Sequence, residues 1–102
     1  MPEKAHATLP PKERLILELL ASGGPMYGLQ LVEKAAGGLR RGTVYVTLGR
    51  MEAKGLVASQ QEPQPPGAIG LPRRTYQLTG LGERMLRAWT TFTNELAWQK
   101  QS

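Results

Sequence analysis

This sequence of 102 residues contains no cysteine and no aspartate, and it has a single histidine and a single phenylalanine. Without cysteine, disulfide frameworks, thiol nucleophiles and thiolate zinc sites are excluded, and a reducing compartment is compatible. His6 sits alone near the N-terminus, and eight glutamates are the only side-chain carboxylates. General acid–base and nucleophilic catalysis therefore lack their usual side chains, so the chain does not read as an enzyme, and no cofactor or metal is expected. No apolar run approaches the roughly 18 residues of a membrane span, and the opening MPEKAHATLPPKER has no apolar core of a secretion signal. A cytoplasmic protein with no membrane partner is the expectation, and the length suits one domain.

What is present is basic charge, unevenly placed. The 13 Lys and Arg against 8 Glu give a net charge of +5. Residues 1–39 are neutral, residues 40–74 carry +4 and residues 75–102 carry +1. A local basic excess in an otherwise balanced domain is the footprint expected of a phosphate-backbone partner, although a solvated basic surface has the same composition.

Residues 1–8 have mixed charge without apolar periodicity and read as a flexible tail. Pro10-Pro11 then suits the first turn of a helix that Gly23-Gly24 stops, with Leu15, Ile16, Leu19 and Leu20 as its buried stripe. Residues 26–36 read as a second helix with Leu29, Val32 and Ala36 at helical spacing, ended by Gly37-Gly38. A third helix is predicted from about Arg41 to Lys54, closed by Gly55. At 100° per residue, Val44, Leu48 and Met51 form its apolar stripe, while Thr43, Thr47, Arg50 and Lys54 fall together on roughly the far side, with Val46 at their border. Residues 56–61 and 73–78 alternate as two strands, and four of the eight prolines lie in the connection between them, which makes a hairpin with a long, stiff tip. Thr79 offers an N-cap for a last helix that runs to about Gln99. Its Leu81, Met85, Trp89, Phe92 and Leu96 draw one seam along about four turns.

Three helices followed by a strand, a long tip and a strand make a winged helix-turn-helix: mainly α with a small β-hairpin, an α+β fold, with the long C-terminal helix as an addition. The expected organisation is a tail over residues 1–8, a winged-helix DNA-binding domain over 9–79 and a dimerisation helix over 80–102. The last helix has too little domain to cover its seam, so a second copy is the simplest cover and a homodimer is inferred.

Three segments together resemble the PadR family of bacterial transcriptional regulators. Gly24-Pro25-Met26-Tyr27-Gly28-Leu29-Gln30-Leu31 is similar to the family's start of the second helix. Gly42-Thr43-Val44-Tyr45, continuing through Leu48, Arg50-Met51-Glu52 and Gly55-Leu56-Val57, is similar to its recognition helix and exit. Pro72-Arg73-Arg74-Thr75-Tyr76-Gln77-Leu78-Thr79 with Gly82 is like the returning wing strand and the entry to the last helix. The resemblance covers roughly residues 15–82, and the short C-terminal part looks like the subgroup with a single dimerisation helix. It implies a DNA-binding regulator, and small relatives of this kind that bind flat aromatic drugs between tryptophans imply a ligand pocket at Trp89. This chain departs from the pattern at Arg41, where a proline is frequent, at Val46, where a proline usually follows the tyrosine, and at Gly49, where a longer residue is common.

The expected DNA contacts follow from chemistry and position. Thr43, Thr47 and Arg50 can meet base edges in a major groove and Lys54 a phosphate, while Arg40 and Arg41 precede the helix and can clamp backbone, with its N-terminal amides as a further anion site. Arg73 and Arg74 lie at the wing's base on opposite faces of the ribbon, so one of the two is expected to reach the backbone or minor groove. Tyr27 and Tyr45 border the apolar sides of their helices, which leaves core packing and a hydroxyl contact to phosphate both open. Trp98 lies off the seam, so either the other subunit's winged domain or solvent meets it. A sequence-specific homodimeric repressor on double-stranded DNA is the leading expectation, with an effector-gated sensor and a protein-binding winged-helix adaptor as the alternatives.

Overall fold

A proline that lacks an N–H forfeits nothing in a first turn, and α1 (Pro11–Gly23) begins on Pro11 for that reason. Gly24, at φ +78°, ends it in a backbone conformation that side chains disfavour. The computed structural model describes residues 9–101, with side chains described through residue 96; the tail with His6 and the side chain of Trp98 lie outside the described residues. After α1 come β1 (Met26–Tyr27), α2 (Gly28–Lys34), α3 (Arg41–Ala53), β2 (Val57–Gln61), β3 (Arg74–Leu78) and α4 (Gly80–Gln101). This is the α+β winged helix-turn-helix expected from the order of elements, with a third strand added.

The sheet order is β1-β3-β2, antiparallel throughout. The hairpin runs in unbroken register from Val57 opposite Leu78 to Gln61 opposite Arg74, and β1 pairs Met26 with Tyr76. The start of the second helix is thereby corrected: Met26 and Tyr27 belong to a strand, and the helix begins at Gly28. Its N-terminus is tied by the Tyr27 N–H, which donates to Gln30 Oε1 at 2.8 Å. Leu31 and Gly28 face inward, whereas Leu29 is exposed.

One core gathers Ile16, Leu17 and Leu20 of α1, Leu31 of α2, Val44, Leu48 and Met51 of α3, and Val57 and Tyr76 of the hairpin. Each fully buried aliphatic side chain contributes on the order of 1.5–3 kcal/mol. The buried side of α1 differs from the expected stripe: Glu13, Ile16, Leu17 and Leu20 are inside, while Leu15 and Leu19 pack at the margin. The rotation has a cause in Glu13, a charge that hydropathy places outside but that accepts an ion pair from α3 at 2.9 Å.

Thr79 caps α4 as its position suggested: its hydroxyl accepts from the Gly82 N–H at 3.0 Å and donates to the Gly55 carbonyl at 2.5 Å. A Cβ at Gly82 would run into the Leu56 carbonyl, so this glycine lets α4 lie directly on the exit of α3. The seam of α4 then divides. Met85 and Trp89, with Leu86, pack on the core, whereas Leu81, Phe92 and Leu96 stay open to solvent. No helix among the described residues is long and apolar enough to cross a membrane.

Candidate nucleic-acid interface

The second helix of a helix-turn-helix is held by its inner face and presents its outer one. On α3 the inner face is Val44, Thr47, Leu48 and Met51, all buried. Thr47 is thus inside rather than on the presented face, and its hydroxyl donates to the Thr43 carbonyl at 3.2 Å. Lys54, the C-cap of α3, also differs from its expected role, because its ammonium lies 2.9 and 3.0 Å from the two oxygens of the buried Glu13 carboxylate. This pair clamps the end of α3 to the start of α1.

Directly opposite the buried stripe lie Gly42, Val46, Gly49 and Ala53, all exposed, within an arc of about 60° at 100° per residue. Arg50 and Thr43 flank this arc on one side and Tyr45 on the other, and all three are exposed. The row Thr43, Thr47, Arg50 and Lys54 is therefore an edge of the helix and not its centre. Taking the angle from the middle of Val44, Leu48 and Met51 would have found Val46. Gly49 costs the helix about 1 kcal/mol against alanine, and a Cβ there would meet nothing within 4 Å.

Tyr45 lies over Gly28, where an added Cβ would come 2.5 Å from its ring. The glycine after Tyr27 is required so that the start of α2 can approach this ring. The Tyr27 hydroxyl donates to the Glu62 carboxylate at 2.9 Å, and the Arg73 guanidinium sits 5.0 Å from the Tyr27 ring centre. Both tyrosines thus combine packing with an accessible edge. Arg74 turns towards β2, donating to Ser59 Oγ at 3.0 Å and Gln61 Oε1 at 3.3 Å, and Ser59 in turn donates to Glu52 of α3 at 2.8 Å. This relay couples the base of the wing to α3. Neither arginine side chain was assigned its direction by the sequence, and Glu62, Ser59 and Glu52 were missed there because a hydrogen bond across 7 to 35 residues leaves no periodic signal.

Between wing and helices lies a cleft of about 710 Å³, lined by Tyr27, Tyr45, Tyr76, Leu71, Arg73 and Arg74 among others. Burial lifts the Tyr76 phenol above its ordinary value of 10.0, the Glu52 carboxylate adds to the rise and the Arg74 guanidinium opposes it. Tyr76 thus enters the cleft as a neutral hydroxyl at physiological pH. The wing tip turns at Pro65-Pro66-Gly67-Ala68, where Gly67 at φ +83° and the Ala68 N–H to Pro65 carbonyl bond of 3.1 Å close a reverse turn. Ile69 and Leu71 beyond it are 97% and 91% exposed. Arg40 and Arg41 are exposed at the entry of α3. Among the described residues no three or more His, Cys, Asp or Glu side chains cluster to hold a metal ion.

A helix-turn-helix whose second helix is exposed beside a hairpin, with arginines on both, defines a winged-helix DNA-binding regulator. The family model for the transcriptional regulator PadR-like family matches residues 16–88, and the chain belongs to that family. A PadR family transcription regulator from hypervirulent Clostridium difficile is similar at 26% identity and a TM-score of 0.69, the match covering 89% of this chain and 98% of that one. A PadR-like transcription factor from Bacteroides fragilis is similar at 26% identity and a TM-score of 0.74, over 86% of this chain and 84% of that one. The YusO protein of Bacillus subtilis, 14% identical over 96% of this chain and 64% of that one, shares the fold with a TM-score of 0.78. No curated protein matches the sequence.

Proposed function

We propose that the protein is a homodimeric repressor that sets α3 into the major groove of a pseudo-palindromic operator, one helix per half-site. In this reading the wing lies against the adjacent backbone or minor groove, and the protein works on chromosomal DNA in the cytoplasm. The observation that carries it is α3, where Arg41 in the first turn and Arg50 at the edge of the outer face are exposed and make no ion pair among the described residues, beside a wing base that bears Arg73 and Arg74. Arg50 and Thr43 are the base-edge donors, while Arg40, Arg41 and the amides that open α3 hold phosphate. The Tyr45 hydroxyl, at the edge of the same face, is a further phosphate donor. The homodimer is supported by Leu81, Phe92 and Leu96, an open apolar row on α4.

A second reading adds an effector. The Trp89 indole N–H is buried and has no acceptor among the described residues, and its ring lies 5.8 Å from that of the exposed Phe92. A flat aromatic compound seated on the exposed Phe92 ring at the dimer interface would lie beside this tryptophan.

The test is selection of bound duplexes from fragmented genomic DNA, then affinities for the selected and a scrambled duplex at two salt concentrations, with and without planar aromatic compounds. An inverted repeat held about 10³-fold or more above the scrambled control, both weakening with salt, is the expected result. Release by an aromatic compound would establish the effector. Enrichment of no sequence would overturn the repressor reading and favour a protein-binding adaptor.

A further inference from the structure

The centre of α3's outer face is made of residues that serve nothing inside the protein. Val46 is 56% exposed at the middle of the face. Gly42 precedes it by four residues and Gly49 follows by three, the two neighbours it has along one side of a helix, and a Cβ at either would meet no atom within 4 Å. Valine and glycine both weaken an exposed helix relative to alanine, so neither packing nor helix propensity accounts for this trio.

Resting on the DNA-binding reading above, we propose that Val46 reads the 5-methyl group of a thymine in the major groove, and that Gly42 and Gly49 let the α3 backbone come close enough for that contact. Valine has no donor or acceptor, and thymine is the base that offers a methyl group on its major-groove edge. The valine methyls are only two bonds from the Cα, so they touch a base only if the helix sits deep. A long side chain at position 42 or 49 would hold it off, and there is none. Charge near the face agrees with a duplex as occupant: Arg50 at its edge and Arg41 at the helix entry stand beside an uncharged centre, and Glu52 on the other edge is engaged by Ser59, which suits phosphates at the groove walls and an apolar group at its floor. Arg50, about 40° round the helix from Val46, remains free to hydrogen-bond a neighbouring base edge.

The test uses the full-length protein and a duplex selected from a randomised pool, in which each thymine is replaced in turn by deoxyuridine, removing only the methyl group. At one thymine per half-site the wild type should lose about fourfold in affinity per half-site, and the Val46→Ala variant should lose nothing further there. Val46 is exposed, so that variant folds. Gly49→Ala should melt at a higher temperature than the wild type yet bind the selected duplex at least tenfold more weakly, while binding a scrambled duplex almost unchanged. A selected duplex insensitive to deoxyuridine, or equally sensitive with Val46→Ala, would overturn the thymine contact and leave the repressor reading standing. Unchanged affinity of Gly49→Ala would overturn the close approach. A pool that yields no preferred sequence would remove this inference together with the function on which it rests.

Discussion

Arg50 and Arg41 are both exposed guanidinium groups on one helix, and position separates what they do. Arg41 is the first residue of α3, beside the amides that open the helix, and in the proposed complex it takes the phosphate backbone whatever the sequence. Arg50 lies two and a half turns further along, at the edge of the presented face, and in the proposed complex its guanidinium takes a base edge. Arg50→Ala should therefore lower affinity for the operator by about 10-fold or more, corresponding to roughly 1–3 kcal/mol, with little change on random duplex. Arg41→Ala should weaken both alike and reduce the slope of log K against log salt by about one. Titrating each variant with operator and random duplex at several salt concentrations checks this, and equal losses on both duplexes for Arg50→Ala would contradict its base-reading role.

At the scale of elements, the position of α3 depends on a charge pair that no apolar pattern reveals. Glu13 is 3% exposed, and Lys54 alone among the described residues lies against its carboxylate as an ion-pair partner. Lys54→Met removes that partner and leaves a buried carboxylate, at a cost of about 1–3 kcal/mol, reduced from a fully buried case because the lysine side chain is half exposed. Adding Glu13→Leu to Lys54→Met should recover most of the loss, and a denaturation cycle over the four proteins measures it. The same pair explains which parts of the fold were legible. Helix ends at Pro11, Gly24 and Thr79, and both wing strands, carry local chemistry and were readable to within a residue or so. The inward side of α1 was misjudged because Glu13 is inside, and β1 escaped because a two-residue strand has no period to detect. For the candidate site, Arg50 and Thr43 could be placed on an exposed edge of α3 from spacing, but neither the pairing of Lys54 with Glu13 nor Val46 as the centre of the face was legible, since a long-range ion pair has no period, apolar residues there read as border and glycine as neutral.

The described residues measure 62 × 31 × 22 Å, and their long dimension reflects α4, a helix of 22 residues and about 33 Å. Packing on its own domain covers Met85, Leu86 and Trp89 of α4, and Phe92 and Leu96 continue the helix with apolar side chains in solvent. A monomer gains nothing from that exposure, whereas two antiparallel or crossed copies would bury both rows at once. Phe92→Glu should therefore halve the molar mass seen by light scattering to that of one chain, 11.2 kDa, without loss of helical circular dichroism, because Phe92 is 52% exposed before any partner arrives. Binding should respond in a defined way: affinity for a single half-site duplex stays the same, while affinity for the full operator falls by about 10² or more as the second contact ceases to be intramolecular. Loss at the half-site as well would mean that the substitution disturbs the winged domain, and an unchanged mass would place the dimer contact elsewhere than the open row of α4.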